Sequence, residues 1–379
     1  MVPPLPTGPS RTVRRRRPGT GGGRRRRRTR GRRASGVPMG GPMTRRQRVA
    51  ENLNSALHHL LGAHPGTYLI GEDVADPYGG AFKVTRGLSD RFPDRVLSSP
   101  LSEGGIAGVG AGLALAGNRS VVEMMFSDFA ALAFDPLLNF AAKSVSMYGR
   151  RVPMSMVVRC PTGGNRGYGP THSQSLQKHF LGIPSLHLRE VSPFHDNRRV
   201  LTAMLDREEP GVLFEDKVLY TRAMYQAGVV DDLFRYEVLA DPSETARVFA
   251  PDCGPPDWIV LSPGGLTERA VTALRTLLLE EEITCELLVP SQLYPFDSKA
   301  LLPVLSRADR ICVMEDSTAD GTWGELLAQQ LHEELWSRLA RPVLPLTAEP
   351  SIVPTAAHLE HGVLLQPSTI HRAIVEATK

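Results

Sequence analysis

The sequence lacks the features that define several large classes of protein. It contains no apolar run of eighteen residues, so we expect no membrane-spanning helix. It has only four cysteines, and no two of them form a CxxC pair, so neither a zinc knuckle nor a disulfide framework is predicted. A reducing, cytoplasmic compartment is the expectation that fits this cysteine usage. The sequence also has no Walker phosphate-binding loop.

Acidic residues are missing from the first part of the chain. Residues 1–36 contain thirteen arginines and no Asp or Glu. Subtracting these thirteen from the 44 Lys and Arg leaves 31 basic residues against 40 acidic ones, so the rest of the chain gives no reason to expect nucleic-acid binding. We predict that residues 1–43, rich in Arg, Gly and Pro, form a disordered arm, because they cannot bury enough apolar surface. A tail without a role, a nonspecific polyanion contact and a targeting peptide all stay open for this arm.

From residue 44 onward, short apolar runs alternate with helical patterns. Alternation of this kind predicts parallel strands joined by crossover helices. The sequence therefore indicates two doubly wound, mostly parallel α/β domains at 44–225 and 254–379, with 226–253 as a polar linker. The predicted strands lie at 68–70, 121–124, 154–158, 212–214, 258–261, 283–289 and 311–314, and the predicted helices include 103–117, 128–148, 196–207 and 323–339.

A glycine-rich run follows the segment 99–102, where a turn from strand to helix is predicted. Glu103 falls in the first helical turn, with Ser102 as a candidate cap. The same helix contains Gly104, Gly105, Gly108, Gly110 and Gly112. Since each glycine inside a helix costs about 1 kcal/mol relative to alanine, we expect close packing of another chain or a ligand to compensate. The run does not fit a dinucleotide fingerprint, because the last glycine of GxGxxG is missing.

Seven short segments occur in an order that is typical of one enzyme family. They lie at 71–74, 79–85, 100–103, 122–129, 133–135, 141–143 and 171–175. Together they resemble the beta subunit of the thiamine-diphosphate-dependent component of 2-oxo acid dehydrogenases, of the pyruvate, branched-chain 2-oxo acid and acetoin type. The resemblance runs from about residue 46 to the C-terminus and is strongest up to about residue 220. It implies a transketolase-like pyrimidine-binding domain followed by a transketolase C-terminal-like domain.

The resemblance assigns roles to four residues. Glu103 matches the glutamate that shares a proton with the pyrimidine ring of thiamine diphosphate, although favourable charge at a helix start also explains a glutamate here. Phe129 matches the aromatic residue that stacks on this ring, and Leu101 matches an apolar neighbour of it. His172 matches the histidine that binds the substrate carboxylate or shuttles a proton during acyl transfer, and imidazole suits either task because it titrates near neutral pH. Without the resemblance, Phe129 and His172 are explained as core or structural residues.

The motif by which this family binds magnesium and the diphosphate of the cofactor, Gly-Asp-Gly, does not occur in the sequence. In the family this motif lies on a separate alpha subunit. The resemblance therefore implies an alpha-two beta-two heterotetramer that shares the cofactor, with magnesium bound through the alpha subunit and no metal ligand on this chain. It also implies a 2-oxo acid substrate and a lipoyl-bearing acyltransferase as a partner. We expect no membrane partner, and nucleic acid only through the arginine-rich arm.

Two other functions stay open. The C-terminal half of a split transketolase shares the pyrimidine-binding fold, although the segments 172–174 and 123–126 favour the dehydrogenase. The other is a polyanion-binding protein that works through its arginine-rich arm and whose remaining residues are catalytically inactive. The presence of Glu103 and His172 argues against this function. One departure from the family is Pro136, where a glutamine is usual. Proline fits a first helical turn but has no backbone donor, and this departure leaves the identity of the 2-oxo acid open.

Overall fold

The computed structural model describes residues 46–379, whose backbone forms two β-sheets flanked by helices. The prediction of two doubly wound, mostly parallel units is confirmed by this architecture. The predicted arm at 1–43 lies outside the described residues. None of the helices in the described range combines the length and the apolar character that crossing a bilayer requires.

The elements are numbered along the described part of the chain. The strands are β1 Thr67–Glu72, β2 Val96–Ser99, β3 Arg119–Glu123, β4 Met156–Thr162, β5 His187–Glu190, β6 Gly211–Asp216, β7 Arg235–Val238, β8 Ala246–Phe249, β9 Trp258–Leu261, β10 Cys285–Val289, β11 Gln292–Tyr294, β12 Ile311–Thr318 and β13 Leu344–Ala348. The α-helices are α1 Val49–Ala63, α2 Leu88–Arg91, α3 Glu103–Leu115, α4 Asn197–Asp206, α5 Thr267–Glu280, α6 Leu302–Leu305, α7 Trp323–Leu335, α8 Ala357–Val363 and α9 Pro367–Thr378.

The first sheet has the order β11-β5-β6-β4-β3-β1-β2, and its neighbouring strands are parallel except β11 and β5. All residues of the central strands β4 and β6 are buried, as expected for a sheet with helices on both faces. Successive side chains point to opposite faces. Val121 accordingly packs in the cluster that contains Leu53 of α1, whereas Val122 packs in the cluster that contains Ile106 of α3.

The second sheet has the order β13-β12-β9-β10-β8-β7. The pairs among β10, β9, β12 and β13 are parallel, and β7 and β8 extend the sheet with antiparallel pairing. The first and second sheets share one hydrophobic cluster. Val158 of β4, Ile259 of β9 and Trp323 of α7 all belong to it, so the two domains are joined by a common core.

The segment 226–253, predicted as a linker, is corrected by the structure, because it contains β7 and β8 of the second sheet. β7 forms the outer edge of that sheet, and none of its residues is buried. Edge strands of this kind tolerate charged side chains such as Arg235 and Glu237, which discourage pairing with other molecules. The polar composition that suggested a linker is the composition of an exposed edge strand.

The single helix predicted at 128–148 is also corrected. The chain forms a 3₁₀ segment at Ser127–Ala131 and then a π-helix at Pro136–Ala142. Pro136 lies in the first turn of the π-helix, as its missing N–H favours. A proline at this point cannot continue the hydrogen bonding of a preceding turn, and the helical pattern is therefore divided into two.

Candidate active site

The carboxyl ends of neighbouring parallel strands bring the predicted site residues to one edge of the first sheet. The strands β2, β1, β3 and β4 are neighbours and run in the same direction. Glu103 follows β2, Phe129 follows β3 and His172 follows β4. In open α/β sheets this edge is where ligands bind. The order of the strands alone therefore makes it the candidate active site.

Glu103 is the first residue of α3, and only 8% of it is exposed. Among the described residues, its carboxyl group has no hydrogen-bond partner. Ser102 does not cap α3 with its side chain, contrary to expectation. Its backbone N–H instead donates to Glu72 Oε1, at 3.1 Å, so a strand side chain takes over the task of a cap. Glu103 is thereby left with a carboxyl group that is free to receive a ligand.

Glu72 lies beside Glu103 at the end of β1. Burial raises the pKa of Glu72, and the nearby charges of Glu103 and Asp73 act in the same direction, while the hydrogen bond from Ser102 opposes them. The second oxygen, Oε2, is buried and has no partner among the described residues. Two carboxyl groups thus share this corner of the site, and burial makes Glu72 easier to protonate than a free glutamate.

Phe129 and His172 are brought together by a third aromatic ring. The centroid of the His172 ring lies 5.2 Å from that of Phe129 and 4.5 Å from that of Phe126, with both contacts edge-on. Phe126 and Phe129 are 6.1 Å apart. Tyr168, on the same loop as His172, packs against Phe126 at 5.6 Å. These rings form an apolar wall at the sheet edge.

The His172 side chain has one hydrogen-bond partner. Its Nδ1 lies 2.7 Å from Thr171 Oγ1, and its backbone N–H donates to Gly169 O at 3.3 Å. Nε2 has no partner in the described part of the chain, so one ring nitrogen is available to a substrate. Sequence reasoning assigned no role to Phe126 or Tyr168. Their positions, three residues before Phe129 and four before His172, are the signal that could have found them.

Leu101 lies just before α3 and is 77% exposed. Two further large apolar residues are exposed, Val109 of α3 at 50% and Leu132 at 62%. The start of α3 approaches this last residue closely, because a Cβ on Gly104 would lie 3.1 Å from Leu132 O. The structure thus connects the predicted Leu101 and Glu103 to the segment that carries Phe129.

Three glycines further along α3 differ in what an added Cβ would meet. A Cβ on Gly110 would collide with the side chain of Val122 on β3, so this glycine allows the helix to pack closely on its own sheet. At Gly108 and Gly112 an added Cβ would meet no atom within 4 Å. Packing inside the described chain therefore explains Gly110 but leaves Gly108 and Gly112 unexplained.

Two charged residues near the rings were not predicted. Asp128 precedes Phe129, and its Oδ2 is buried without a partner. Lys217 follows β6, is fully buried, and holds its Nζ 5.5 Å from the centroid of the Phe126 ring. Burial lowers the pKa of Lys217 to about 8 and raises the pKa of Asp128. The available signal for Lys217 was its position directly after the buried strand β6, but that position does not indicate which loop the side chain faces.

The donor and acceptor set fits an aminopyrimidine ring. A nearly buried carboxyl group without a partner, Glu103, suits a ring nitrogen that carries or accepts a proton. The half-buried ring of Phe129 suits the face of a planar heterocycle. Within 46–379, no three His, Cys, Asp or Glu side chains are grouped to hold a metal ion. The roles of Leu101, Glu103, Phe129 and His172 stay predictions.

Comparisons with known proteins agree on the family. Residues 46–222 match the family model of the transketolase pyrimidine-binding domain, and residues 251–370 match that of the transketolase C-terminal domain. The pyruvate dehydrogenase E1 component subunit beta-1, mitochondrial, of Oryza sativa subsp. japonica is 30% identical over 331 residues, which cover 87% of this chain and 86% of the rice protein. The corresponding mitochondrial subunit beta of Saccharomyces cerevisiae is 29% identical over 377 residues, 98% of each chain.

A solved structure described as a split-gene transketolase, an inactive β4 tetramer, has the same fold. It superposes with a TM-score of 0.66 and covers 87% of this chain and 98% of its own, at 18% sequence identity. An identity this low shows the fold alone. The chain therefore shares the fold of this transketolase and, by sequence, has relatives among the pyruvate dehydrogenase beta subunits.

Proposed function

We propose a function from one premise: this chain belongs to the family of beta subunits of the 2-oxo acid dehydrogenase E1 component. Together with an alpha subunit, it decarboxylates a 2-oxo acid oxidatively and passes the acyl group to lipoyllysine. The observation that carries this proposal is that Glu103, Phe129 and His172 follow neighbouring strands at the same edge of the first sheet. The chain is also similar to such a subunit over 87% of its length. The identity of the 2-oxo acid and the acyl transfer are part of the proposal.

Thiamine diphosphate would be held through its pyrimidine ring by Glu103, Phe129 and Leu101. When bound, this cofactor supplies a nucleophilic carbon that stabilises the negative charge left by decarboxylation. Glu103 holds a proton at the ring nitrogen and can return it, which is acid–base help typically worth about 10²–10⁴-fold in rate. Phe129 offers an apolar face, so the ring is oriented for this proton to move. Magnesium and the diphosphate are assigned to the alpha subunit.

His172 and the rings around it act on the substrate side of the site. The unpartnered Nε2 would hold the carboxylate of a 2-oxo acid or move a proton during acyl transfer. The ring of Phe126 replaces water beside the imidazole, and Tyr168 packs against Phe126 in turn. Exclusion of water strengthens each electrostatic interaction in the site. Asp128 and Lys217 lie close enough to act on the charge of this region.

The alpha subunit is proposed to cover the exposed side of α3. Leu101, Val109 and Leu132 are large apolar residues that the described chain leaves exposed, and Gly108 and Gly112 offer a side-chain-free surface between turns of the helix. Small residues of this kind allow another backbone to approach closely, which compensates for their cost in the helix. A second copy of this chain is the competing occupant, as in the β4 tetramer of the structural relative.

The decisive experiment is co-expression of the chain with candidate alpha subunits, followed by assays over a panel of 2-oxo acids with thiamine diphosphate and magnesium. We expect decarboxylation only from the mixed complex, and transfer of the acyl group to a lipoyl domain. Ketol transfer between sugars by the mixed complex would instead support the split transketolase. A chain that forms only tetramers of itself in the presence of every alpha candidate would contradict the proposal.

The cellular location of the protein and the role of its arginine-rich arm are separate proposals from the chemistry. We propose a reducing, cytoplasmic location, in keeping with four free cysteines, and an accessory role for the arm. Deletion of residues 1–42 tests the second point. Loss of polyanion binding with unchanged activity is expected, whereas loss of activity with the alpha subunit present would show that the arm belongs to the enzyme.

A further inference from the structure

The loop that carries His172 is held by a carboxylate of the second domain. This histidine loop comprises residues 163–174. Glu360 of α8 accepts a hydrogen bond from Asn165 N at Oε1, at 2.8 Å, and another from Gly167 N at Oε2, at 3.2 Å. The side chain lies in the interior, since Glu360 is only 1% exposed. Hydrogen bonds from backbone N–H groups to an ionised carboxylate are among the stronger ones in proteins.

Close backbone contact supports the same attachment. A Cβ on Gly164 would collide with the side chain of Leu364, and one on Gly169 would collide with Thr355 Oγ1. Gly169 also has a φ of 75°, a conformation that L side chains rarely adopt. The histidine loop is therefore built to lie directly on residues of the second domain.

The ends of the histidine loop are fixed by the first domain. Ser127 Oγ and Thr162 Oγ1 both donate to Gln174 O, at 3.0 and 3.2 Å. In the middle of the loop, the backbone N–H groups of Asn165 and Gly167 are held by the second domain, while the side chain of Arg166 donates to Lys217 O of the first domain at 3.0 Å. Since His172 N donates to Gly169 O, the position of the imidazole depends on both attachments.

We propose that Glu360 is a positioning residue, by which the second domain sets the place of His172 in the active site. Glu360 acts through the backbone of the histidine loop and touches neither substrate nor cofactor. This role rests on the proposed function of the site, in which His172 acts on the substrate. The attachment itself is independent of that function, and it is tested first.

Trypsin reports directly on the attachment. Arg166 is exposed and lies between the two residues whose N–H groups Glu360 holds. In the full chain, Glu360→Gln and Glu360→Ala should speed cleavage after Arg166, by about tenfold for the alanine variant, which corresponds to about 1.4 kcal/mol. Cleavage after Arg150, which is exposed and lies outside the histidine loop, should be unchanged. The glutamine variant should fall between the alanine variant and the wild type, because it keeps one acceptor.

Glu286 supplies a matched control in the same domain. It is 5% exposed and bonds the side chains of Arg247 and Arg307 rather than the histidine loop. Glu286→Gln should leave cleavage after Arg166 at the wild-type rate. In the complex with an alpha subunit, both Glu360 variants should lower kcat, by about tenfold for alanine, with the KM for thiamine diphosphate unchanged.

Equal cleavage after Arg166 in the wild type and Glu360→Ala would overturn the proposal. So would equal acceleration after Arg150 and Arg166, because that pattern indicates general unfolding. Should the alanine variant fail to fold, the milder glutamine variant decides by the same ratio of the two sites. A wild-type complex without decarboxylase activity would count against the proposed function, while the tryptic pattern would still decide whether Glu360 holds the loop. Normal kcat in variants with a released loop would refute the positioning of His172.

Discussion

Two helices begin at equivalent places in the two domains, and their first turns are built in opposite ways. α3 follows β2 of the first sheet and α7 follows β12 of the second. In both, a buried strand glutamate accepts a backbone N–H at the helix start: Glu72 from Ser102 at 3.1 Å, and Glu315 from Gly324 at 2.8 Å. Beyond this common feature the two starts differ in capping, composition and exposure.

α7 satisfies its own first turn. Thr322 Oγ1 accepts from Glu325 N, and Glu325 Oε2 accepts in return from Thr322 N, which is a complete capping box. Its apolar face is covered, since Trp323 and Leu327 are each 1% exposed. α3 has no side-chain cap, an unpartnered Glu103 and an exposed apolar neighbour, Leu101. The difference fits the proposed function, in which α7 serves stability and α3 gives up local stability to bind a cofactor and a partner.

The largest expected effect comes from removing the carboxyl group at the start of α3. Glu103→Ala should lower thiamine-dependent turnover by at least about a hundredfold and leave the melting temperature almost unchanged. Steady-state assays of the mixed complex, paired with thermal unfolding, measure both. Glu268→Ala, which removes an acid from the first turn of α5, is the matched control and should keep turnover. Unchanged turnover in Glu103→Ala would refute the role of Glu103.

The second test separates Gly108 from Gly110 in α3. Gly108→Leu meets open space within the described chain, so it should fold with equal or greater stability, yet block binding of the alpha subunit. Gly110→Ala should act in the reverse way and destabilise the fold by about 1–3 kcal/mol, because its Cβ collides with Val122. Co-purification and chemical unfolding distinguish these outcomes. A Gly108→Leu chain that binds alpha normally would remove α3 from the interface.

A third test uses pH at the start of α7. Burial raises the pKa of Glu315 from its ordinary value of 4.5, so the folded protein keeps this proton at pH values where the unfolded chain has lost it. The contribution to stability is therefore complete below about 4.5 and is lost as the pH rises above that value. In the wild type, the free energy of unfolding should therefore decrease as the pH rises. Glu315→Gln should make this slope less steep, by up to about 1.4 kcal/mol per pH unit. Chemical unfolding at several pH values measures the slope, and an unaltered slope would show that Glu315 does not hold a proton.

The smallest effect is expected from the capping box of α7. Thr322→Ala removes the acceptor for Glu325 N and should cost about 1 kcal/mol of unfolding free energy. Turnover of the folded complex should stay at the wild-type value. If this variant lost activity while keeping its stability, the conclusion that the start of α7 serves stability would be wrong.

Much of the architecture followed from local patterns in the sequence. Buried strands such as β4 and β9 and the amphipathic helix α5 are marked by composition and period alone. The errors arose where pairing or hydrogen bonding is decided elsewhere in the chain. The charged strand β7 is recognisable only from its neighbour β8, and the division of 128–148 depends on one proline.

The site was predictable only in part. Glu103, Phe129 and His172 could be listed from the sequence through a family resemblance, and the parallel order of β2, β1, β3 and β4 explains why they converge. Phe126 and Lys217 could not be placed, because a core phenylalanine and a buried lysine leave no periodic signal. Glu360 is separated by 195 and 193 residues from Asn165 and Gly167, the two loop residues that it holds. Contacts of that range are set by the completed fold.

The strand β11 has a practical consequence for anyone who divides this gene. Although it lies between β10 and β12 of the second domain, it pairs antiparallel with β5 and completes the first sheet. A fragment truncated near residue 250 would lack this strand and present the bare edge of β5, a ready template for aggregation. Two-piece expression would therefore need to supply residues 292–294 to the first fragment, and the chain is best regarded as one inseparable folding unit.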